Sequence, residues 1–365
     1  MIILPSVVPV PLWAGRPQDA GSWGAVTTGW VCCSSPTVGV TSRRLRASDG
    51  ESRQPPGWID EELIVDGSGR GGNVGQATDS FVRYRNLLFT IAYEMLGSAA
   101  DAEDVLQETW LRWVGVDHQE VRDERAYLIR ITTRQALTQL RRLGRRKESY
   151  VGSWLPEPLL TAPDVADDVE LAESVSMAML LVLETLSPTE RAVFVLREVF
   201  DVGYEEIATA VDKSQDAVRQ IAHRARNHVQ ARRPRGSVSS QEAGRALDAF
   251  RRALETGDFE ELLSLIAPDV VLVGDGGGIK QAVLHPVRGA RRVSKLLAVG
   301  LGEVGQQMSA EPATINGWPA LILRLDGELD SVLAVRIDDG LITGLYAVRN
   351  PEKLIRLDRE TAVSR

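Results

Sequence analysis

The side chains best suited to bind a partner lie in the segment 204–233. Apolar residues recur there at helical spacing on both sides of a break at 211–214, and Ser214 is placed to cap the second helix. The outer face of that second helix carries amide, imidazole and guanidinium groups, namely Gln215, Arg219, Gln220, His223, Arg224 and Arg226. Such groups bond to base edges and phosphates, so the pattern indicates a DNA-reading helix-turn-helix. On this segment alone, an ordinary helical hairpin with a solvated face is an open alternative.

A second cluster of cations ends the helix predicted over 124–147. Arg130 and Arg134 lie on its outer face, followed by Arg141, Arg142, Arg145, Arg146 and Lys147. One or two cations would complement the dipole at a helix C-terminus, whereas this longer run favours a polyanionic partner. The helix before it, which Ser98 is placed to cap, has an acidic outer face formed by Asp101, Glu103, Asp104 and Glu108.

Two residues near the C-terminus could act as a general acid or base. Asp275 lies beside a glycine-rich turn, and His285 precedes Pro286. A turn aspartate and a packed or surface histidine account for both equally simply, so we expect no catalytic site. Cys32 and Cys33 are adjacent and are the chain's two cysteines, which supports neither a disulfide framework nor a zinc site. We therefore predict no metal and no cofactor.

The composition is ordinary for a soluble protein of two or three domains: 365 residues, of which 44% are hydrophobic and 25% charged. A net charge of −8 argues against unselective coating of nucleic acid, but it is compatible with a local basic patch. No apolar run reaches the roughly 18 residues that span a bilayer. The apolar N-terminus is broken by Pro5, Pro9 and Pro11, so a secretion signal is not expected. We predict a cytoplasmic protein with no membrane partner.

Shifts in composition and turn signals divide the chain into five parts. These are a tail (1–76), a first helical domain (77–147), a linker (148–170), a second helical domain with the helix-turn-helix (171–235) and a C-terminal domain (241–365). The tail is rich in Gly, Pro and Ser and is expected to be disordered, and a mis-assigned translation start would make part of it fictitious. The C-terminal domain begins with two helices and continues in alternating segments, which predicts an α+β fold with an apolar pocket.

Three segments resemble, in order and spacing, the extracytoplasmic-function (ECF) group of bacterial RNA polymerase sigma factors. GSAADAEDVLQETWLRW (97–113) resembles the part of that family that docks on the clamp helices of the polymerase β′ subunit. RAYLIRITTRQALTQLRR (125–142) resembles its −10 reading and melting segment. LSPTERAVFVLREVFDVGYEEIATAVDKSQDAVRQIAHRAR (186–226) resembles its −35 reading domain, sigma region 4, whereas the first two segments belong to sigma region 2. The resemblance covers about residues 78–233.

Further motifs resemble the sigma-J type of that group, which carries a fused SnoaL-like (NTF2-like) domain. YVGSWLPEPL (150–159) is similar to its linker motif, and DGGGIK (275–280) and NPEKL (350–354) are similar to two motifs of the fused domain. This chain departs from those two motifs by an extra Ile279 and by Glu352 in place of Asp. The resemblance implies that the fused domain regulates the sigma domains in cis. The implied contact residues are Trp154, Pro156, Glu157, Pro158, Asp275, Gly276, Gly277, Gly278, Lys280, Asn350, Pro351, Lys353 and Leu354.

The same resemblance implies two macromolecular partners, promoter DNA and core RNA polymerase, the latter bound through its β′ clamp helices and β flap. The residues expected to face the polymerase are Asp101, Glu103, Asp104, Gln107 and Glu108. Those expected at the −10 element are Arg130, Arg134, Arg141, Arg142 and Arg145. At the −35 element, Gln215, Arg219 and Gln220 would read bases, while Lys213, His223, Arg224 and Arg226 would meet phosphate. A small ligand of unknown identity in the C-terminal pocket is a further expectation.

Overall fold

The computed structural model describes residues 71–162, 168–232, 240–302 and 308–365. The predicted disordered tail lies outside these residues up to residue 70, but residues 71–76 are already helical, within α1 (Gly71–Leu96). Ala77, which follows them, is buried in the core, and its carbonyl accepts a hydrogen bond from Trp113 Nε1. Nowhere in the described ranges is a helix long and apolar enough to cross a membrane.

The first helical domain is a bundle of three helices. They are α1, α2 (Ala99–Val114) and α3 (Glu124–Glu148), with a short 3-10 turn at His118–Glu120. Ser98 begins α2 as predicted, since its hydroxyl accepts a hydrogen bond from the Asp101 backbone N–H at 3.2 Å. Fully buried side chains such as Leu88, Trp113 and Leu128 fill the space between the helices. An apolar core therefore holds the three helices together.

The second helical domain contains the predicted helix-turn-helix. Its elements are α4 (Val169–Val175), α5 (Met177–Leu183), α6 (Pro188–Phe194), a π-helical turn (Val195–Val199), α7 (Tyr204–Val211) and α8 (Gln215–Gln230). Ser187 and Glu190 form a capping box at the start of α6. Between α7 and α8, Asp212 has a left-handed backbone with φ 56°, and Ser214 caps α8. The predicted apolar stripe of α8 is buried, and its polar face is turned outwards.

The C-terminal domain is a mixed sheet with helices. Its elements are α9 (Ser240–Thr256), α10 (Phe259–Leu265), β1 (Ile266–Asp275), β2 (Val287–Arg288), α11 (Ala290–Gly302), β3 (Met308–Ile315), β4 (Trp318–Leu325), β5 (Glu328–Asp338), β6 (Leu341–Val348) and α12 (Pro351–Leu354). The strand order is β2-β1-β6-β5-β4-β3, in which β1 and β6 are parallel and every other pair is antiparallel. The α+β class is as predicted, although β3 is a strand that the alternation did not reveal.

Both faces of this sheet are covered. Leu321, Leu333 and Leu345 face a core that α9, α10 and α11 complete with residues such as Phe250 and Leu262. Their neighbours along the strands face the other side and pack with residues from outside the domain, among them Leu155 of the linker and Met177 of α5. Because successive residues of a strand point to opposite faces, one sheet serves two cores. We call the core on this second face, which contains Leu155 and Met177, the outer core. It joins the C-terminal domain to the helical domains.

Candidate functional site

The side chain of Asp275, at the end of β1, is the centre of the contact between the linker and the C-terminal domain. It is fully buried and accepts hydrogen bonds from the Tyr150 hydroxyl at 2.5 Å and the Leu155 backbone N–H at 2.9 Å. The Lys353 ammonium donates to the same carboxylate at 2.7 Å, and the Gly277 N–H donates at 3.1 Å. We call this set of contacts the linker junction. It joins the three segments that the sequence singled out, DGGGIK, NPEKL and the linker.

NPEKL supplies the cation and a cap to the linker junction. Asn350 begins α12 by accepting from the Glu352 N–H, and its amide donates to the Tyr150 hydroxyl at 2.9 Å. Lys353 donates to the Leu155 carbonyl at 2.6 Å and lies 3.3 Å from the centre of the Trp154 ring, a cation–π contact. Burial lowers the pKa of Lys353 to about 8, although the Asp275 carboxylate opposes that shift. The remaining members of the motif are Leu354, which packs in the outer core, and Pro351, which is exposed.

The glycines of DGGGIK are needed because the loop runs against other atoms. A Cβ on Gly276 would lie 1.9 Å from the Lys280 carbonyl oxygen, and one on Gly277 would lie 2.3 Å from the Asn350 amide. Gly278 has φ +73° and lies against Val151. The extra Ile279 is accommodated in an exposed turn. Lys280 is turned away from the linker junction, since its ammonium pairs with Asp330 at 3.0 Å.

Glu157 connects the linker to the first helical domain. Its carboxylate accepts from the backbone N–H groups of Ala99 and Ala100 at 2.8 and 3.2 Å, at the N-terminus of α2. A carboxylate at this position satisfies unpaired N–H groups and complements the helix dipole. Burial raises the pKa of Glu157, and these N–H groups oppose that shift. Pro156 and Pro158, on either side, are buried as well.

Asn316 is a contact residue that sequence reasoning missed. It lies in the β3–β4 turn with φ 55°, is fully buried, and donates through Nδ2 to the Tyr93 hydroxyl at 2.6 Å and the Val175 carbonyl at 3.0 Å. Its Oδ1 accepts from the Leu159 N–H at 3.0 Å. One amide therefore touches α1, α4 and the linker. The Asn-Gly pair at 316–317 signals a tight hairpin turn, but no local pattern could show these distant partners.

The C-terminal segment crosses back onto the helical domains. Val363 is buried in their shared core, and the Ser364 N–H donates to the Thr90 hydroxyl of α1 at 3.0 Å. Arg365 pairs with Asp168, at 3.2 Å, and with Glu170 of α4. The segment therefore touches both helical domains, which the sequence did not predict.

The residues expected to face the polymerase do not form one free acidic surface. Asp104 and Gln107 are exposed, and Glu108 is half-exposed and paired with Arg112. The placement of Asp101 on the outer face is wrong, because it is buried and accepts a hydrogen bond from Gln139 at 2.6 Å. Glu103 is half-buried, and both its carboxylate oxygens accept from Arg85 at 2.9 Å.

The residues expected at the −10 element fall into two groups. Arg141, Arg142 and Arg145 are exposed at the end of α3, whereas Arg130 stacks on the Tyr127 ring at 4.5 Å. Arg134 reaches the second helical domain and donates to the carbonyls of Thr209 at 2.8 Å and Ala210 at 3.4 Å, near the end of α7.

Six of the seven residues expected at the −35 element are exposed: Gln215, Arg219, Gln220, Lys213, His223 and Arg224. Arg226 differs, because it forms a two-point pair with Glu198 at 2.9 and 2.6 Å, and that pair raises the pKa of its guanidinium. Arg134 and Gln215 line one cleft between the two helical domains.

A second buried charge cluster lies where α1 meets the second helical domain. Glu94 is fully buried, accepts from the Ser174 hydroxyl at 2.8 Å, and its backbone carbonyl accepts from Arg191 at 2.8 Å. Arg191 also pairs with Glu184 at 2.7 Å, and Glu184 is bound by Lys147. Among the described residues, neither Glu94 Oε2 nor Arg191 Nη2 has a hydrogen-bond partner. We call this set the interdomain charge cluster.

The catalytic candidates are not arranged for chemistry. The Asp275 carboxylate is occupied by four donors of the linker junction, and His285 lies exposed in the segment before β2. Beneath the helices of the C-terminal domain, Phe250 and Leu262 are buried side chains of the apolar core. We therefore propose neither a reaction nor a small ligand for this domain.

Comparisons with known proteins agree with this architecture. The family profile for Sigma-70 region 2 matches residues 81–146, and that for Sigma-70 region 4 matches residues 176–229. ECF RNA polymerase sigma factor SigJ of Mycobacterium tuberculosis is 33% identical over 294 residues, which cover 75% of this chain and 91% of SigJ. SigG of the same organism is 33% identical over 67% of this chain and 71% of its own length. The crystal structure of Mycobacterium tuberculosis SigJ superposes with a TM-score of 0.61, at 32% identity, over 76% of this chain and 98% of that chain.

These matches define the class of protein as an RNA polymerase sigma factor with both DNA-reading regions and a fused C-terminal domain. The chain belongs to the ECF sigma factor family, which acts in transcription initiation by binding core RNA polymerase and promoter DNA. Its first helical domain is region 2, its second helical domain is region 4, and its C-terminal domain is a mixed sheet with helices of the α+β class.

Proposed function

We propose that this sigma factor directs promoter-specific initiation and that its C-terminal domain regulates it in cis. The observation that carries the proposal is the linker junction, in which the fully buried Asp275 binds the linker between regions 2 and 4. The C-terminal domain thereby holds the linker, and through it the arrangement of the two regions. The C-terminal domain takes the place of a separate anti-sigma factor.

The arrangement of the two helical domains supports a closed, inactive state. Arg134 and Gln215, expected at the −10 and −35 elements, line the same cleft. Elements centred about 25 base pairs apart are separated by about 85 Å of duplex, at 3.4 Å per base pair. Side chains that share a cleft cannot occupy both elements at once. The two domains must therefore separate before the promoter is read.

Within this proposal, the exposed side chains at the N-terminus of α8 read the −35 element. Gln215, Arg219 and Gln220 contact base edges, and Lys213, His223 and Arg224 contact phosphate. The DNA phosphate backbone near the −10 element is bound by Arg141, Arg142 and Arg145. The polymerase is contacted by Asp104 and Gln107. Arg226 joins the phosphate contacts only if it leaves Glu198.

The DNA assignment is tested with Arg219→Ala in transcription from purified core polymerase. We expect promoter-dependent transcription to fall while binding to core polymerase is unchanged, because a guanidinium bidentate to guanine contributes about 1–3 kcal/mol of discrimination. Arg252→Ala, an exposed arginine of α9, is the matched control. Loss of polymerase binding in the Arg219 variant would contradict the assignment.

Regulation in cis is tested by truncation. A chain ending after Arg233 lacks the C-terminal domain, and one ending after Asn350 lacks Lys353, Leu354 and the segment that contacts both helical domains. Each truncation is expected to change transcription from the target promoter, measured per mole of holoenzyme. Unchanged transcription from both truncated chains would overturn the regulatory proposal.

A further inference from the structure

Four cations lie in a single row on the C-terminal domain. Arg288 ends β2, and Arg291, Arg292 and Lys295 follow in the first two turns of α11, where Arg291 and Lys295 are i, i+4 neighbours. All four side chains are exposed, while Val293 and Ser294 between them are fully buried. We call this row the basic stripe.

The basic stripe is not neutralised within the described part of the chain. None of its members is in an ion pair with a described residue, and the sequence from 281 to 302 contains no Asp or Glu. Most other cations of the domain do have acidic partners. These pairs include Arg251 with Asp248 and Glu255, Lys280 and Arg349 with Asp330, Arg324 with Glu311, and Arg336 with Asp338. In a chain of net charge −8, an unpaired cationic row is a local reversal of sign.

The contacts that close the molecule do not use this surface. β2 is one edge of the sheet, whereas the turn that carries Asn316 joins β3 and β4 at the other edge. The linker binds at the end of β1, through Asp275. The basic stripe also lies at the N-terminal end of α11, where the helix dipole adds partial positive charge. It is therefore a separate positive surface, open to a partner.

We infer that the basic stripe binds the phosphate backbone of duplex DNA upstream of the −35 element, as a third promoter contact. This inference rests on the proposed function, because it assumes that region 4 holds the −35 element. The C-terminal domain is tethered to α8 by residues 231–239, which reach at most about 32 Å. Duplex DNA next to the −35 element is then the polyanion within reach. Four exposed cations at the end of β2 and the start of α11 suit phosphates, and they carry no requirement for sequence.

The experiment uses the holoenzyme and a promoter that it selects from a library. Two fragments are compared, one ending at the −35 element and one with about 30 further base pairs of scrambled duplex, a span of about 100 Å. The stripe variant replaces Arg288, Arg291 and Lys295 by Gln. The control variant replaces Arg245, Arg252 and Arg359, exposed arginines elsewhere on the same domain, by Gln and has the same net charge.

For the wild type and the control, we expect the longer fragment to bind more tightly and with a steeper dependence on salt. In the stripe variant, that gain should be lost, and the slope of log affinity against log salt should fall by up to about 2.7, at about 0.9 per phosphate contact. Binding to the short fragment should be unchanged. Variants of the stripe that keep one of the three native cations, such as Arg291, should each recover part of the slope.

Two outcomes would overturn the inference. One is an equal salt slope for the stripe and control variants on the long fragment. The other is weaker binding of the stripe variant to core polymerase without DNA, which would make an acidic protein surface the partner. Failure of the proposed function would give a different result: the wild-type holoenzyme would bind the short promoter fragment no better than a scrambled fragment. That result would overturn this inference as well.

Discussion

The linker junction and the interdomain charge cluster both bury charge between parts of the chain, but they differ in how fully that charge is satisfied. In the linker junction, Asp275 accepts from Tyr150, Leu155, Lys353 and Gly277. In the interdomain charge cluster, one carboxylate oxygen of Glu94 has no partner among the described residues, and neither does one guanidinium nitrogen of Arg191. A buried charge with complete partners holds one arrangement, whereas an incompletely paired one costs free energy.

This difference indicates which contact should separate first. Opening at the linker junction would expose an aspartate and a lysine that lose several good bonds each. Opening where α1 meets the second helical domain would hydrate groups that are now partly unsatisfied, which offsets part of the cost. We therefore expect the linker to stay with the C-terminal domain while regions 2 and 4 part.

Asp275→Ala should lower the stability of the folded protein more than any other change considered, because it leaves the Lys353 ammonium buried without the Asp275 carboxylate. Breaking one partner of a buried pair costs about 3–5 kcal/mol of the free energy of unfolding. Urea unfolding of the full chain measures the loss. The control is Glu311→Gln, which breaks an exposed pair with Arg324 and should cost less than about 1 kcal/mol. Equal losses in the two variants would refute the difference between buried and exposed pairs.

Glu94→Gln should stabilise the protein at high pH, which distinguishes the interdomain charge cluster from the linker junction. Burial raises the pKa of Glu94 from 4.5 to about 8, while Ser174 and Arg191 oppose that shift. The folded state therefore holds this proton more tightly than the unfolded state, so stability falls as pH rises from about 4.5 to about 8 and is level above that. The neutral amide removes this loss.

The Glu94→Gln variant should match the wild type near pH 5 and exceed it at pH 8 by on the order of 3 kcal/mol. Chemical unfolding at a series of pH values measures this. The control is Glu190→Gln, in the exposed capping box of α6. The pKa of Glu190 is lowered by its bond with Ser187, so its ionised carboxylate stabilises the folded protein and this substitution should lower stability at pH 8. A Glu94 variant less stable than the wild type at pH 8 would contradict the comparison.

Much of the helical architecture could be predicted from the sequence, because caps and apolar stripes are local. Ser98 and Ser214 cap the helices that they were expected to cap. The expectation for Asp101 failed because its partner, Gln139, lies on another helix, and spacing along α2 cannot show that contact. β3 was missed because Glu311 and Pro312 interrupt its alternation.

The contacts between the domains were only partly predictable. The motifs identified Asp275, Asn350 and Lys353 through their resemblance to a family, but not which atoms they would bind. Asn316 gave only a turn signal, and its partner Tyr93 is more than two hundred residues away. Contacts of that range depend on how whole domains meet, which a local sequence pattern does not encode.

Removal of residues 362–365 should have an intermediate effect on stability, confined to the contact that we expect to open, because the bond from the Thr361 N–H to the Leu160 carbonyl of the linker is kept. Val363 leaves the core of the helical domains, and Arg365 no longer pairs with Asp168 and Glu170. Burial of a valine contributes about 1.5 kcal/mol and exposed ion pairs add little, so the free energy of unfolding should fall by about 2 kcal/mol. Hydrogen exchange should rise in α1 and α4 and stay constant at Leu155. Increased exchange at Leu155 as well would show that the two contacts open together.

Arg134→Ala should have the smallest effect on stability and a clear effect on the separation of the helical domains. Its guanidinium donates to the carbonyls of Thr209 and Ala210 from a partly exposed position, so the loss should be about 1 kcal/mol or less. A fluorescence distance between labels on α2 and α8 should lengthen on average, because one bond across the cleft is gone. Arg141→Ala, an exposed arginine of the same helix, removes the same charge and should leave the distance unchanged. An unchanged distance in the Arg134 variant would mean that the interdomain charge cluster and the C-terminal segment alone keep the cleft closed.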